Sequence, residues 1–407
     1  MRTLAFGLRT LQLAAMGLML GIWLAGCATP QATVVSEELP FEQAVAKATD
    51  GLVAQTSKLP GFLAKVESKL NKRGLVVDPA LDASTGQQTA SSLLMEKRVA
   101  ERLASNFESI EILPFQAANL AKAQYLLTGT LGRVMSGPKS GKNAPLQINL
   151  SLTDLRSGTV VAQASALARD EGLDHTPTRY YQDSPVLVKD RVVEGYLRTA
   201  ATPPGQLADP FYFERVAVAT VINEATALYN AERYQDALAR YRAAGGTPGG
   251  DQLRTLNGIY LAQTKLGRTA EAELAFGNIV AFGFRNNQLD VKFLFNPGST
   301  AFWSDARISG AYGMWLRQIA KESNNTKVCM QIIGHTSRTG SEPVNDALSL
   351  QRANAILQRL AADAPVLGAR AKTSGKGFRE NLIGSGTDNA VDALDRRVEF
   401  KIEPCSP

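Results

Sequence analysis

Hydrophobic and polar residues alternate along several short segments in the first half of the chain. From Leu146 to Leu152 every second residue is apolar, which predicts a half-buried strand. A second strand at 159–166 follows turn residues 156–158, so the two strands form a hairpin. Further strands are predicted at 74–78, 110–113 and 124–134, and helices at 41–70, interrupted at Pro60, and 87–107. These elements predict an α/β domain with a mixed sheet.

The middle of the chain contains a repeated pattern after the Pro- and Gly-containing segment 202–205. Segment 230–241 matches segment 265–276 at a spacing of 35 residues, with Ala237 matching Ala272 and Tyr241 matching Phe276. Small residues let paired helices approach, and the aromatic rings fill the groove between them. Because the spacing is close to the 34-residue tetratricopeptide period, residues 218–284 resemble two tetratricopeptide (TPR) units. Two units are marginal alone, so packing against a neighbouring domain is predicted. The region could form a partner groove or a helical spacer.

The last third of the chain predicts strands and helices in the order β-α-β-α-β. A first strand is predicted at 291–295, followed by a helix with Ile308, Tyr312, Leu316 and Ile319 on one face. The next elements are predicted at 328–333, 345–360, 369–372 and 397–402. The predicted fold class is therefore α/β (α+β) throughout: a mixed-sheet domain, helical hairpins, and a C-terminal β-α-β-α-β domain.

The first residues carry an export signal. Arg2 and Arg9 precede an apolar run that ends in Leu-Ala-Gly-Cys27. The run is about 15 residues, which is shorter than a membrane span requires. The sequence around Cys27 resembles the lipobox of bacterial lipoproteins, which implies cleavage after residue 26 and acylation of Cys27. Because Ala28 follows the cysteine where Asp would signal inner-membrane retention, the resemblance also implies the outer membrane, facing the periplasm. Residues 27–40 are predicted to form a tether.

Composition narrows the possible classes of protein. The chain has 407 residues, 44 basic and 38 acidic, a net charge of +6, and 44% apolar residues. A wholly disordered chain is excluded, and so is a multi-span membrane protein, since the mean hydropathy is −0.11. Three Cys and two His exclude zinc-finger arrays. The basic residues are spread along the chain, which argues against a nucleic-acid partner.

Three motifs in the first domain carry a resemblance. They lie at 82–89, 127–131 and 152–158. On these motifs, residues 41–200 resemble the domain shared by the lipoproteins FlgO and LpoB and by CsgG. The resemblance implies a periplasmic interaction module without catalysis. The glycines in these motifs lack the spacing of a phosphate-binding loop, and hairpin turns account for them.

The C-terminal motifs carry a second resemblance. Gly334-His335-Thr336 is followed by Gly340, by Asn345-x3-Ser349-x2-Arg352-Ala, and by Asp395-Arg-Arg-Val-Glu399. With these motifs, residues 285–407 resemble the OmpA C-terminal-like family. That family binds peptidoglycan non-covalently through the diaminopimelate of the stem peptide. The resemblance therefore implies peptidoglycan as a partner, with no catalysis and no cofactor.

The resemblance also implies roles for individual residues. Arg352 would pair with the ligand carboxylate from the first turns of a helix, and Asn345 would hold the ligand or its loop. Thr339 would add a hydrogen bond, and Arg396 would close or brace the pocket. A surface arginine at 352 and a structural arginine at 396 are the alternatives. His335 is expected to support the loop rather than bind a metal.

Ser337 departs from the family pattern, which has an Asp after Gly-His-Thr. That Asp neutralises the ligand ammonium, whereas Ser337 accepts a hydrogen bond without charge. The loss of a charge-assisted contact costs about 1–3 kcal/mol. Asp346 or Asp395 could supply the missing charge.

Two cysteines remain after Cys27. Because the periplasm is oxidising, a disulfide between Cys329 and Cys405 is predicted, with two free thiols as the alternative. His175 lies in a loop without a second ligand nearby in sequence, so no metal site is predicted there.

The sequence thus predicts an outer-membrane lipoprotein with five segments: signal peptide 1–26, tether 27–40, domain 41–200, helical repeats 210–284 and peptidoglycan-binding domain 285–407. The chain would tether the membrane, and a protein partner held by the repeats, to the cell wall. The alternative is a scaffold of a flagellar, secretion or pilus machine acting through the repeats. A wall hydrolase is a third hypothesis, disfavoured because no Ser-His-acid or Cys-His arrangement is apparent.

Overall fold

The structure is a computed structural model that describes residues 37–56, 72–134, 144–296, 298–326, 328–383, 386 and 395–405. The predicted signal peptide, the lipidated Cys27 and most of the tether lie outside the described residues. Among the helices that are described, none combines the length and the apolar character needed to cross a membrane.

A mixed sheet organises the first part of the chain. Its strands are β1 Glu38–Leu39, β2 Arg73–Val77, β3 Leu81–Asp82, β4 Ile110–Leu113, β5 Ala123–Arg133, β6 Leu146–Asp154 and β7 Val160–Ala168. The order is β1-β7-β6-β5-β2-β4, with β3 beside β5. Strand β6 is antiparallel to both β5 and β7, whereas β2 is parallel to β4 and β5, and β1 is parallel to β7. The predicted mixed sheet and its β6–β7 hairpin are confirmed.

Helices cover both faces of this sheet. They are α1 Phe41–Thr56, α2 Ala90–Asn106, α3 Ala117–Leu120, α4 Arg179–Asp183, α5 Arg191–Ala200 and α6 Pro210–Phe213. The alternating apolar residues of β6 are buried beneath α1 and α2. On the other face, Val193 and Tyr196 of α5 share a core cluster with Leu126 of β5. The sheet is therefore a buried central layer.

The hairpin turn explains one of the glycine motifs. The Asp154 carboxylate accepts hydrogen bonds from the backbone amides of Arg156 and Ser157, at 3.0 and 2.8 Å. Gly158 has φ +71°, a left-handed conformation that favours glycine. The glycine and the Asp154 hydrogen bonds of this motif thus form the hairpin turn, as the sequence predicts.

Four helices form two antiparallel pairs in the middle of the chain. They are α7 Val216–Asn230, α8 Tyr234–Gly245, α9 Leu253–Lys265 and α10 Thr269–Arg285. Tyr241 and Phe276 are fully buried. The Tyr241 ring occupies the space that a side chain at Gly258 would need, since a Cβ there would lie 2.4 Å from the ring. The aromatic residues therefore fill the grooves as predicted, while the identity of the pairs as TPR units stays a prediction.

The helical pairs pack against both neighbouring parts of the chain. Val216 and Ala219 of α7 belong to the same core cluster as the first sheet, and Phe276 of α10 stacks on Trp315, with ring centroids 5.6 Å apart. Packing against a neighbouring domain is thereby confirmed. From Glu37 onward the chain is one compact unit, and the predicted domain limits stay a prediction.

The C-terminal part is a second sheet covered by helices. Its strands are β8 Gln288–Val291, β9 Cys329–Gly334, β10 Ala371–Gly375 and β11 Val398–Glu403, in the order β10-β9-β11-β8. Its helices are α11 Ala306–Ser309, α12 Tyr312–Thr326, α13 Glu342–Asp363 and α14 Leu367–Arg370. Strand β9 is parallel to β10 and antiparallel to β11. The fold class predicted from the sequence is confirmed.

Two details of this region differ from the prediction. The strand predicted at 291–295 lies at Gln288–Val291, because Phe293 and Phe295 leave the sheet and pack with Phe302, at 5.5 and 5.4 Å between ring centroids. Ile308 is 44% exposed, because the helix predicted through it is divided into α11 and α12 around Gly310. The apolar periodicity of residues 308–319 therefore predicted one helix where the structure has two.

A segment from earlier in the chain forms hydrogen bonds along strand β8. The Leu187 amide donates to the Asp290 carbonyl at 3.0 Å, and the Lys292 amide donates to the Pro185 carbonyl at 2.8 Å. The edge of the C-terminal sheet is therefore covered by residues that precede the helical pairs by sequence.

Candidate functional site

One face of α13 organises the loops around the predicted binding site. Asn345, Ser349 and Arg352 are spaced i, i+4 and i+7, so they lie on the same side of the helix, and all three are buried. Each of them contacts a different loop, at 339–341, at 377 and at 296–299. The Asn-x3-Ser-x2-Arg spacing thus places three side chains on one helix face, where each of them contacts a different loop.

Asn345 and Ser349 bind the two loops nearest the start of α13. The Asn345 side-chain amide donates to the carbonyls of Thr339 and Ser341, at 2.8 and 3.1 Å. The Ser349 hydroxyl accepts from the Gly377 amide at 3.0 Å. Of the two roles considered for Asn345, the structure shows the contact with the loop.

Arg352 lies about three turns into α13 rather than in its first turns. Its guanidinium donates to the carbonyls of Ser299 and Asn296, each at 3.2 Å. It also lies over the Phe295 ring, 4.9 Å from the centroid, a favourable cation–π distance. With 3% of its surface exposed, Arg352 is not a surface arginine.

The Gly334–Ser341 loop is held by backbone hydrogen bonds. The Thr336 amide donates to the Gly377 carbonyl at 2.9 Å, and the His335 amide donates to the Arg397 carbonyl at 3.1 Å. Gly334 is needed for this approach, because a Cβ there would lie 2.0 Å from the Ser349 carbonyl oxygen. The loop is therefore fixed to α13 and to the segment before β11.

Two hydroxyl groups meet on this loop. The Ser337 and Thr339 oxygens are 3.0 Å apart, within hydrogen-bond distance. Ser337 is buried, whereas Thr339 is exposed. The structure thus brings these two predicted residues together as a neutral pair that can donate and accept.

Both carboxylates considered as substitutes for the missing Asp are engaged elsewhere. Asp346 accepts from the Arg379 guanidinium at 2.9 Å, and Arg379 also pairs with Glu342 at 2.8 Å. Asp395 is fully buried and accepts from the amides of Leu382 and Ile383, at 2.7 and 3.0 Å. Neither contact was predicted, because each partner is distant in sequence.

The arginines before β11 are buried. Arg396 is 7% exposed. Its positive charge lies near Tyr312 of α12 and favours the ionised form of that side chain. The Tyr312 hydroxyl accepts from the Leu294 amide at 3.0 Å, and burial raises the pKa of Tyr312. Tyr312 was predicted only as an apolar helix position, and the sequence contains no signal for this polar role.

The two remaining cysteines form a disulfide. Cys329 begins β9, and Cys405 lies just after β11; they are 76 residues apart in sequence. Because Cys329 is opposite Glu403 in the antiparallel pair, the bridge ties the end of the chain to the sheet.

His335 and His175 lie in different environments. Burial lowers the pKa of His335, whose side chain is enclosed below the loop. His175 bonds to Asp170 at 2.8 Å and to the Ser91 hydroxyl at 3.0 Å. His175 therefore links the segment after β7 to the start of α2.

Comparison with known proteins places the last part of the chain in a family. Residues 294–393 match the OmpA family, so the chain contains an OmpA-family domain, which includes β9, α13, β10 and most of the candidate site. No curated protein shows significant similarity to the chain. The resemblances of the first domain and of the helical pairs stay predictions.

Several solved structures are similar to part of the chain. The periplasmic domain of Helicobacter pylori MotB is 18% identical over 29% of this chain and 74% of its own, with a TM-score of 0.24. An outer membrane protein of Borrelia burgdorferi B31 is 26% identical over 28% and 87%, with a TM-score of 0.22. The peptidoglycan-associated lipoprotein of Burkholderia pseudomallei is 24% identical over 28% and 89%, with a TM-score of 0.23.

Proposed function

We propose that this protein is an outer-membrane lipoprotein that binds peptidoglycan non-covalently through its OmpA-family domain. The observation that carries the proposal is the buried Asn345, Ser349 and Arg352 face of α13, which holds three loops together inside the family match. Such a pre-formed site binds its ligand without first ordering the loops.

The chemistry of the site suits a ligand with a carboxylate and several hydrogen-bonding groups. A guanidinium is planar and forked, which matches a carboxylate. In the proposed complex, Arg352 or Arg396 pairs with the diaminopimelate carboxylate, and the Ser337 and Thr339 hydroxyls bind its amine. Because these hydroxyls are neutral and Asp346 and Asp395 are engaged elsewhere, we expect weak binding by the isolated domain.

A lipid anchor at Cys27 compensates for weak binding in this proposal. The acylated cysteine keeps the protein at the outer membrane, so the binding domain is presented to the wall at a high effective concentration. The lipobox-like sequence around Cys27 supports the anchor, and the Cys329–Cys405 disulfide is consistent with an oxidising compartment.

The first domain and the helical pairs would contact a protein partner. A groove of about 730 Å³ between α7 and α8 is lined by charged side chains, including Glu224, Arg233, Asp236 and Arg240. This groove also favours the second candidate function, a scaffold of an envelope machine, because charged grooves give specificity to protein contacts. No catalytic step is part of either proposal.

Sedimentation with isolated peptidoglycan sacculi tests the main proposal. Residues 37–407 should be used, because the chain from Glu37 is one compact unit. We expect co-sedimentation that is reduced by Arg352→Ala and unchanged by Lys372→Ala, which removes an exposed cation on β10. Circular dichroism must show that Arg352→Ala remains folded.

Two results would decide against the proposal. Failure of residues 37–407 to sediment with sacculi at low salt would show that peptidoglycan is not the ligand. Co-purification of an envelope protein, lost on charge reversal of Arg233 and Arg240, would then favour the scaffold. Release of muropeptides by the purified protein would contradict both, since it would require catalysis.

A further inference from the structure

His335 is buried, and its ring makes no hydrogen bond of good geometry among the described residues. Its surface is 1% exposed, and neither ring nitrogen has a contact within these residues that meets the distance and angle of a hydrogen bond. The ring instead faces two carboxylates: Nε2 lies 3.4 Å from a Glu399 oxygen, and Nδ1 lies 4.0 Å from a Glu380 oxygen. A buried polar group without a well-formed hydrogen bond is costly, so such a group calls for an explanation.

The three side chains come together from separate segments. His335 follows β9, Glu399 belongs to the adjacent β11, and Glu380 lies in the loop after β10. One ligand atom from each residue can be chosen so that all three lie within 4.8 Å of one another. Ligands about 2.1 Å from a tetrahedral metal are about 3.4 Å apart, so small side-chain movements suffice.

Other polar atoms around this cluster also lack partners within the described ranges. They are Thr336 Oγ1, both amide atoms of Asn381, Asp290 Oδ1 and Arg397 Nε. Asp290 adds a third carboxyl group near Glu399 and His335. These atoms provide partners for water molecules or for the outer ligands of a bound ion.

Lys376, Arg397 and Lys401 also lie near the cluster, and among the described residues the first two contact Glu380 away from the oxygen that His335 faces. Lys376 pairs with the other oxygen of Glu380 at 3.2 Å. Arg397 donates from Nη1 to the Glu380 carbonyl at 3.2 Å. The nearest oxygens of Glu380 and Glu399 therefore stay directed at the imidazole.

We propose that His335, Glu380 and Glu399 form a binding site for a divalent cation of the zinc type. An imidazole with two carboxylates is a ligand set for Zn²⁺ and similar transition metals, whereas Mg²⁺ and Ca²⁺ prefer oxygen ligands alone. With three protein ligands, a water molecule completes the coordination. This proposal is independent of the proposed peptidoglycan-binding function.

Such an ion would cross-link the segments that frame the candidate peptidoglycan site. His335 is two residues from Ser337, and Glu380 is adjacent to Arg379, which pairs with α13 residues. Glu399 is three residues from Arg396. The cation would therefore fix the Gly334–Ser341 loop relative to β11.

Calorimetric titration and thermal unfolding of residues 37–407 test the site. Protein freed of metal with a chelator is titrated with Zn²⁺, and with Mg²⁺ as a control. We expect Zn²⁺ to bind and raise the melting temperature, and Mg²⁺ to leave it unchanged. Co²⁺ should give the strong visible absorption of a four-coordinate site.

Variants identify the ligands. Glu380→Gln and Glu399→Gln should each weaken zinc binding at least about tenfold; Glu380 is exposed, so its variant keeps the fold. Glu111→Gln, an exposed carboxylate on β4, should bind zinc as the unmodified protein does. Absence of zinc binding, or unchanged binding in either Glu380→Gln or Glu399→Gln, would overturn the proposal.

Discussion

The indole nitrogen of Trp315 donates a buried hydrogen bond to the hydroxyl of Tyr260 at 2.9 Å. This bond joins α12 of the OmpA-family domain to α9 of the helical pairs, and the same indole stacks on Phe276 of α10. The helical pairs are thus part of the core that supports the C-terminal sheet.

Truncation of Trp315 should destabilise the protein strongly. Trp315→Ala leaves a cavity and removes the donor to the Tyr260 hydroxyl, so we expect a loss of about 3–5 kcal/mol in the free energy of unfolding. Trp315→Phe keeps an aromatic ring beside Phe276 and should lose only about 1–3 kcal/mol, the cost of removing the donor to the buried Tyr260 hydroxyl. Urea unfolding of residues 37–407 measures both. Equal losses in the two variants would show that packing does not dominate this contact.

Asp78 should make stability depend on pH. Burial raises the pKa of Asp78 from 3.8 to about 6, although the Tyr212 hydroxyl donates to its carboxylate at 2.6 Å. The folded state therefore binds a proton at the Asp78 carboxylate more tightly than the unfolded state does. The stabilisation is fully present below about pH 4 and is lost as the pH rises through about 6, by about 3 kcal/mol.

The Asp78→Asn variant isolates this effect. Its free energy of unfolding should fall less than that of the unmodified protein between pH 4 and pH 6, as measured by urea unfolding at several pH values. Asp251→Asn, an exposed carboxylate in the α8–α9 connection, serves as the control and should show the unmodified pH dependence. Parallel pH curves for Asp78→Asn and the unmodified protein would contradict the assignment.

Ser337→Asp should strengthen binding of diaminopimelate. A carboxylate at this position would neutralise the ligand ammonium, and a charge-assisted hydrogen bond contributes about 1–3 kcal/mol. We therefore expect affinity to rise by roughly one to two powers of ten, measured by calorimetric titration. Ser105→Asp adds the same charge on exposed α2 and should have no effect. Unchanged affinity in Ser337→Asp would place the ligand amine elsewhere.

Loss of the disulfide should lower stability. The bridge joins residues 76 positions apart, and a disulfide typically contributes about 2–4 kcal/mol to stability. The double variant Cys329→Ser, Cys405→Ser should lose this amount in urea unfolding without reductant. Added reductant should lower the stability of the unmodified protein only. A response of the double variant to reductant would point to another cause.

The local elements of the fold could be predicted well from the sequence. The alternation in β6 and the periodicity of α2 reflect residues that are close in the chain, and the 35-residue repeat is visible when the two segments are aligned. Errors occurred where a local pattern crossed a break, as at Ile308, or where aromatic residues left the sheet, as at Phe293. In both places distant packing overrode the local pattern.

The candidate site could be predicted only in part. The spacing of Asn345, Ser349 and Arg352 indicates a shared helix face, and the structure adds which loop each residue holds. The partners of Asp346 and Asp395 could not be predicted, because Arg379 and Leu382 reach them through loop conformations that the sequence pattern does not encode.

By itself the sequence determined the helices and strands, the helical repeat and the motif on α13, since these depend on the periodicity of neighbouring residues. Only the tertiary structure decided that Pro185–Leu187 completes the edge of β8, that Arg352 turns to backbone carbonyls, and that His335 meets Glu380 and Glu399. Each of these contacts joins residues far apart in the chain, so it exists only once the sheet and its covering helices have packed.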